Sequence, residues 1–292
     1  MQLPELWSHH TARRTWYGRL DDGDASAPSA MVRSHRRAEL ARSIQVLWVL
    51  TRSDFRARYR AQALGVFWSL VSPLVMMAIM SLVFTQVFRT STDHFPIFLL
   101  IGLVVWEWIS NAITASTQVF VHNADVIKRT VFARHMLPVA AVLSHGINFL
   151  IAASMLLVFV PIFPGAFRLS PALLLVPIFL GLLVMLMVGI GLATSVLNVI
   201  YRDVAYLVNT ALLLLYWLTP VIYPIDVIPQ PYRSILVWNP LGGVLTALRG
   251  AIMRGQYPTL SQWAAIAVPT TVILAIGWVI FRRNERLVLD YV

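Results

Sequence analysis

From Val66 to Phe88 the chain runs for 23 residues without a charged side chain, and Arg56, Arg58 and Arg60 stand just before that run. About 20 apolar residues are what a helix needs to cross hydrocarbon. Each arginine would cost roughly 2.5 to 3.5 kcal/mol at the centre of such a helix, so the three keep to the headgroups. By the bias of basic residues toward cytoplasmic loops they place the start of the run inside. Every later loop then acquires a side.

With 58% hydrophobic and only 12% charged residues, the chain departs from a soluble domain, where these fractions are about 45–50% and about 25%. Its net charge of +10 would suit nucleic acid, but the distribution argues otherwise. Of the 23 basic residues, 18 fall before Gly65, in 123–137, in 198–204 or after Phe281, the stretches assigned to the inner side. The charge reports topology and contact with anionic lipid headgroups. With no cysteine, disulfides, thiolate metal sites and thiol catalysis are excluded.

Taken in order, residues 1–32 contain Asp21-Asp22-Gly23-Asp24 and no sustained apolar core, and read as a mobile cytoplasmic tail. Residues 33–65 combine an amphipathic interface helix with the basic segment. Leu40, Ile44, Leu47 and Leu50 or Thr51 recur at helical spacing, with Arg36, Arg37, Glu39 and Arg42 on other faces and Trp48 at headgroup depth. Residues 66–292 form an all-α integral membrane domain of six transmembrane helices. The spans expected are Val66–Phe88, Pro96–Val121, Leu137–Val160, Leu173–Val196, Ala205–Tyr223 and Trp263–Phe281. An even number leaves both termini in the cytoplasm. Between the fifth and sixth helices, residues 224–262 are rich in proline yet apolar at Ile235–Trp238 and Leu241–Ile252, with Asn239-Pro240 as the turn. A re-entrant outer hairpin is expected here, the alternative being an amphipathic loop on the outer surface.

Chemistry is conspicuous by what is missing. An ATP-binding loop needs Gly-x-x-x-x-Gly-Lys-Ser/Thr, and the one lysine of this chain, Lys128, follows Ile127. His145 and Asn148 are spaced for interhelical hydrogen bonds in the third span. The inner loop after the second span reads as a short helix. Val126, Ile127, Val131 and Phe132 give it one apolar face, against Asp125, Lys128, Arg129 and Arg134. Val131 and Phe132 make an apolar knob, and the basic residues would orient it on an acidic cleft of a partner; a loop serving only the positive-inside bias would look similar.

Two stripes mark a candidate path. Glu107, Asn111, Thr114 and Gln118 fall at steps of four, three and four in the second span, on one helix face. Tyr206, Asn209, Tyr216 and Tyr223 recur in the fifth at three, seven and seven. Polar side chains at this depth turn toward the bundle interior or a hydrated cavity. A mixture of aromatic faces and hydrogen-bonding tips suits sugars, although such stripes also serve as packing between helices.

Several motifs recur together, in this order. They are Arg58-Tyr59-Arg60, Leu64-Gly65, Trp68 and Pro73; then Lys128, Phe132, Arg134 and Leu137-Pro138; then Asn198 and Tyr201-Arg202-Asp203; and last Thr219-Pro220-Val221-Ile222-Tyr223-Pro224 with Asn239-Pro240. As a set, over residues 35–292, they resemble the transmembrane subunit of ABC exporters of the polysaccharide and polyol-phosphate class, which move O-antigen, capsule, teichoic acid or galactan chains. The resemblance implies a bacterial cytoplasmic-membrane location and a permease that is not itself an enzyme. It implies a homodimer with two separate ATP-binding cassette subunits, which hold ATP and Mg, and an undecaprenyl-linked glycan as cargo. It places the first, second and fifth spans around a channel, with Trp68 near the inner mouth, and makes the 224–262 hairpin an outer gate at Pro224, Trp238, Asn239 and Pro240. Glu107 stands where the family carries a neutral polar or aromatic residue. Two other functions are open to the residues alone. One is an ion- or proton-coupled secondary transporter using Glu107, against which no inverted repeat is evident; the other is a glycan-modifying membrane enzyme, which would ordinarily need paired carboxylates.

Overall fold

The computed structural model describes residues 45–57, 67–87, 92–129, 133–230 and 238–288, without the side chains of Trp68, Ser69, Asp125, Val126 and Arg129. The chain divides into residues 1–45 and 46–292, so the expected tail 1–32 lies outside the described residues. Within those residues every regular element is helical. Residues 45–57 form α1, the described part of the amphipathic helix expected from the sequence. Its Thr51 is buried while Trp48 is exposed.

The helices after it follow the apolar runs. They are α2 (Trp68–Leu82, extended by a π-helical turn at Val83–Val87), α3 (Phe95–His122), α4 (Ala124–Arg129) and α5 (Met136–Phe159). After a 3-10 turn at Pro171–Leu175 come α6 (Val176–Ile200), α7 (Val204–Leu218), α8 (Pro240–Arg249) and α9 (Leu260–Asn284). Among the described residues, five stretches are long and apolar enough to cross a membrane: Leu70–Val87, Phe95–His122, Met136–Phe159, Pro171–Ile200 and Leu260–Asn284. At 1.5 Å per residue, the 25 residues of α9 reach about 38 Å, more than the ~30 Å of hydrocarbon.

The expected fifth span, Ala205–Tyr223, is corrected. α7 stops at Leu218 after 15 residues, about 22 Å of helix, and Thr219 turns extended at φ −100° and ψ 138°. The cause is Pro220, whose ring disfavours helical backbone in the residue before it. Tyr223 therefore lies beyond the helix that carries Tyr206, Asn209 and Tyr216. In the expected hairpin, Ile235 to Val237 fall outside the described residues, whereas the second apolar run is helical as α8. Asn239 caps α8 by accepting from the Leu241 N–H at 3.1 Å, and Pro240 occupies the first turn, where its missing N–H costs nothing.

α3 is the central helix, packed against α5, α6, α2 and α7. Some 72% of its apolar window is buried, against 6% for α2, so α2 turns most of its surface to lipid or to another chain. Two clusters fill the interior. The larger contains Leu99, Leu100, Ile113, Phe179, Leu183 and Met187, together with the buried face of α8. The smaller sits where α3 and α6 end and joins Phe120, Ile127, Val196, Phe281 and Val288. Across α3 and its neighbours, Ser116 donates to the Pro138 carbonyl at 3.1 Å and Thr117 pairs with Thr194 at 2.8 Å. Asn148 Oδ1 is buried without a hydrogen-bond partner among the described residues.

α6 and α9 cross with backbones in contact. A Cβ on Gly277 would collide with the Gly189 carbonyl, and one on Gly189 would lie 2.7 Å from the Leu274 Cα. Small residues at a crossing let two membrane helices gain close packing where no hydrophobic force separates lipid from protein. Gly189→Ala and Gly277→Ala should each cost roughly 1–3 kcal/mol, as overpacking does. Gly181→Ala, with nothing within 4 Å, should not lower the melting temperature of the detergent-solubilised chain. Equal melting of all four proteins would rule the crossing out.

Candidate transport path, docking loop and outer hairpin

The structure brings the two stripes side by side. Thr114 on α3 donates to Asn209 Oδ1 on α7 at 3.1 Å. Two turns along α3, Trp106 meets Tyr216 edge-on with ring centroids 5.5 Å apart. The numbering rises along one helix as it falls along the other, so the pair runs antiparallel, with aromatic contact toward one end and polar contact toward the other. Asn111 and Tyr206 are exposed beside this seam, while Glu107, Thr114 and Gln118 are half-buried. Glu107 makes no hydrogen bond or ion pair with another described residue, and its neighbour Trp108 is buried, stacked on Phe149 at 4.4 Å. Tyr223, past the end of α7, folds back and donates to the Trp217 carbonyl at 2.6 Å. Trp68 is the first residue of α2.

At the opposite end from α8, the expected docking helix exists as α4, and its apolar and basic faces differ in burial. Ile127 is buried in the smaller cluster, whereas Lys128 is exposed. Asp125 and Arg129 lie on α4 without described side chains, and Val131 and Phe132 fall outside the described residues. Arg134, expected to help orient the loop on a partner, is half-buried. Its Nη1 donates to the Glu285 carbonyl at 2.6 Å, tying the loop to the chain just past α9. Arg282 pairs with Glu285 at 3.4 Å.

The hairpin is held by a residue that charge counting treats as one more outer arginine. Arg249, at the end of α8, is 3% exposed and has no carboxylate against it among the described residues. Its Nε and Nη2 both donate to the Phe98 carbonyl, at 3.1 and 2.9 Å. Nη1 reaches the Pro220 carbonyl at 2.5 Å, and Nη2 the Val221 carbonyl at 2.6 Å. The guanidinium lies 3.4 Å from the Phe98 ring centroid. Gly102 makes this possible, for a Cβ there would stand 2.5 Å from the Val221 carbonyl oxygen and collide with Arg249 Nη2. One sequence signal could have found it: Arg249 follows Leu241 and Leu245 at steps of four, on the apolar face of α8. Of the expected gate residues, Asn239 joins this knot by donating from Nδ2 to Thr219 Oγ1 at 3.0 Å. Pro240 opens α8, Pro224 is half-buried, and Trp238 is exposed.

Residues 45–253 match the family model described as ABC-2 type transporter. The chain is 31% identical over 240 residues to an O-antigen export system permease protein, RfbA, of Klebsiella pneumoniae, covering 82% of this chain and 91% of that protein. It is 27% identical to RfbA of Myxococcus xanthus, over 81% and 92% of the two chains. It is also 28% identical to the polysialic acid transport protein KpsM of Escherichia coli, again over 81% and 92%.

All four hydrogen bonds made by Arg249 go to backbone oxygens, so removing the guanidinium leaves the Pro220 and Val221 carbonyls without this donor. Arg249→Met should destabilise the chain by at least roughly 1–3 kcal/mol, the cost of buried polar groups left unsatisfied. Arg249→Lys should restore it only in part, because one ammonium nitrogen replaces the three guanidinium nitrogens that together serve the Phe98, Pro220 and Val221 carbonyls. Thermal unfolding in detergent, with the exposed Arg283→Met as control, measures both.

Proposed function

Because the chain belongs to the ABC-2 type transporter family, we propose that it is the membrane-spanning subunit of an ATP-driven exporter that moves a lipid-linked polysaccharide across the bacterial cytoplasmic membrane. The relatives named for O-antigen and polysialic acid export support the cargo class. The observation that carries the reading is the α3–α7 seam. It places Asn111 and Tyr206 on a free surface beside Thr114–Asn209 and Trp106–Tyr216, a mixture of hydroxyl-binding tips and aromatic faces. Contacts of this kind are individually weak and repeated, which lets a polymer move on. ATP and Mg would be held by a separate cassette subunit, and two copies of this chain with two such subunits would make the complex.

The topology follows the same reading. α7 is short for a span, yet it leaves the end where α6 finishes, and the segment after it joins Arg249 and Phe98 at the end where α3 begins. Helix and broken segment together then make the remaining crossing, for six in all with both termini inside. Among the described residues from 67 onward, seven basic residues lie at the α4 end and three at the hairpin end, the asymmetry expected if the α4 end faces the cytoplasm. α4 and the loop to His135 would meet the cassette subunit through Phe132 and Lys128. The packing of Ile127 and the Arg134–Glu285 bond would hold that loop rigid enough to pass on a push. The hairpin would act as the outer gate.

Reconstitution with the cassette subunit tests this directly. Phe132→Asp should abolish co-purification of the ATPase while leaving membrane insertion intact. Asn111→Trp and Gln118→Trp should stop polymer export yet keep dimer and ATPase bound. Glu107→Gln should retain export; a proton-dependent activity lost specifically in that variant would favour a secondary transporter.

A further inference from the structure

At the hairpin end of the bundle, four stretches that are distant in sequence enclose a pocket of about 770 Å³. They are 92–98, 165–168, 224–227 and 249–256. The volume falls within the roughly 300–1,000 Å³ of small-molecule sites, which admits a short segment of a chain but not a polymer in bulk.

The walls are built rather than incidental. Among the described residues only His94, Gly165 and Gly255 have positive φ. His94 and Gly165 line the pocket, and Gly255 lies between two residues that do. His94 adopts φ 48° and ψ 43°, a left-handed conformation uncommon outside glycine. Its carbonyl starts α3 by accepting from the Ile97 and Phe98 N–H groups. The Arg168 N–H donates to the Ile252 carbonyl at 3.0 Å, fastening one wall to the turn after α8. Arg254 Nε donates to Gln256 Oε1 at 3.0 Å, orienting a donor and an amide together on the rim.

The chemistry of the lining selects a ligand class. Asp93 and Asp226 contribute acceptors, and Arg168, Arg254 and Arg249 contribute donors, so the lining mixes both signs and both kinds of hydrogen-bonding group. No group of three His, Cys, Asp or Glu placed to hold a metal occurs among the described residues. Hydroxyl groups both donate and accept, and a ring of them uses both kinds of lining group at once. Deeper in, Phe98, Met253 and the Arg249 head provide an apolar face and a charge whose Nη1 retains one N–H beyond its carbonyl bond. We propose that this pocket is a saccharide-binding site that holds a short segment of the exported glycan at the outer side of the permease. The proposal rests on the exporter reading for the origin of that glycan.

Val227 lines the pocket with its side chain exposed and is not one of the binding groups named above. Leu169, beside Arg168, is 96% exposed and does not line it. In cells of the native host making polymer, with the ATPase present, Val227→benzoylphenylalanine should yield a light-dependent adduct. That adduct should run as a glycan ladder on a periodate-stained gel. Leu169→benzoylphenylalanine should yield none, and adding Arg168→Gln with Asp226→Asn to the Val227 probe should lower capture several-fold. Absence of a glycan adduct, equal capture at Leu169, capture unchanged in the double variant, or an adduct carrying only phospholipid would each overturn the site. If the ATPase co-purifies and export proceeds without an adduct at Val227, the pocket fails and the exporter reading stands. A glycan adduct without any associating ATPase supports the pocket and overturns the exporter reading.

Discussion

Hydrocarbon offers no partner to a backbone N–H or C=O, so any break in a helix at membrane depth must find its hydrogen bonds within the protein. This chain breaks at Pro220, and the exposed carbonyls of Pro220 and Val221 are taken up by one buried guanidinium. Arg249 is suited to that task because its planar fork, always charged, presents five donors at fixed angles. A buried charge without a counter-ion is ordinarily expensive. Here the dipoles of three carbonyls and the face of Phe98 replace the carboxylate, and Gly102 leaves the space. The start of α3, the end of α7 and the end of α8 thus meet at one side chain.

That knot gives α8 a defined seat on the bundle. Asn239 caps α8 and also reaches Thr219, so the cap and the last residue of the helix both bond the segment around the break. The pocket beside it shares Phe98 and Arg249 with the knot, so a ligand there would bear on the same contacts.

At the opposite end the design is different. The loop carrying α4 is held by apolar packing of Ile127 and by Arg134 on the Glu285 carbonyl, while Lys128 stays exposed. Burying one side of a short helix fixes it against the bundle while its other side stays accessible. α3 links the two ends, since it begins at the hairpin knot, runs through the larger cluster and finishes against Phe281 in the smaller one.

Much of this was legible in the residues. Apolar runs of spanning length located five of the helices to within a few residues, because hydropathy and length are summed over many side chains and tolerate local error. The step of three and four along α3 put Thr114 on one face with Glu107, Asn111 and Gln118, and there Thr114 bonds Asn209 of α7. The end of α7 was also written in the chain, as Thr219-Pro220, but the apolar run past it outweighed the proline. What the sequence could not carry is pairing. That Thr114 meets Asn209, that Gly189 meets Gly277, and that Arg249 serves carbonyls near positions 98 and 220 all depend on which helix faces which. Periodicity names a face; only the packed bundle decides what lies opposite it, because hydrogen bonds and backbone contacts reach a few ångströms while the partners stand many residues apart.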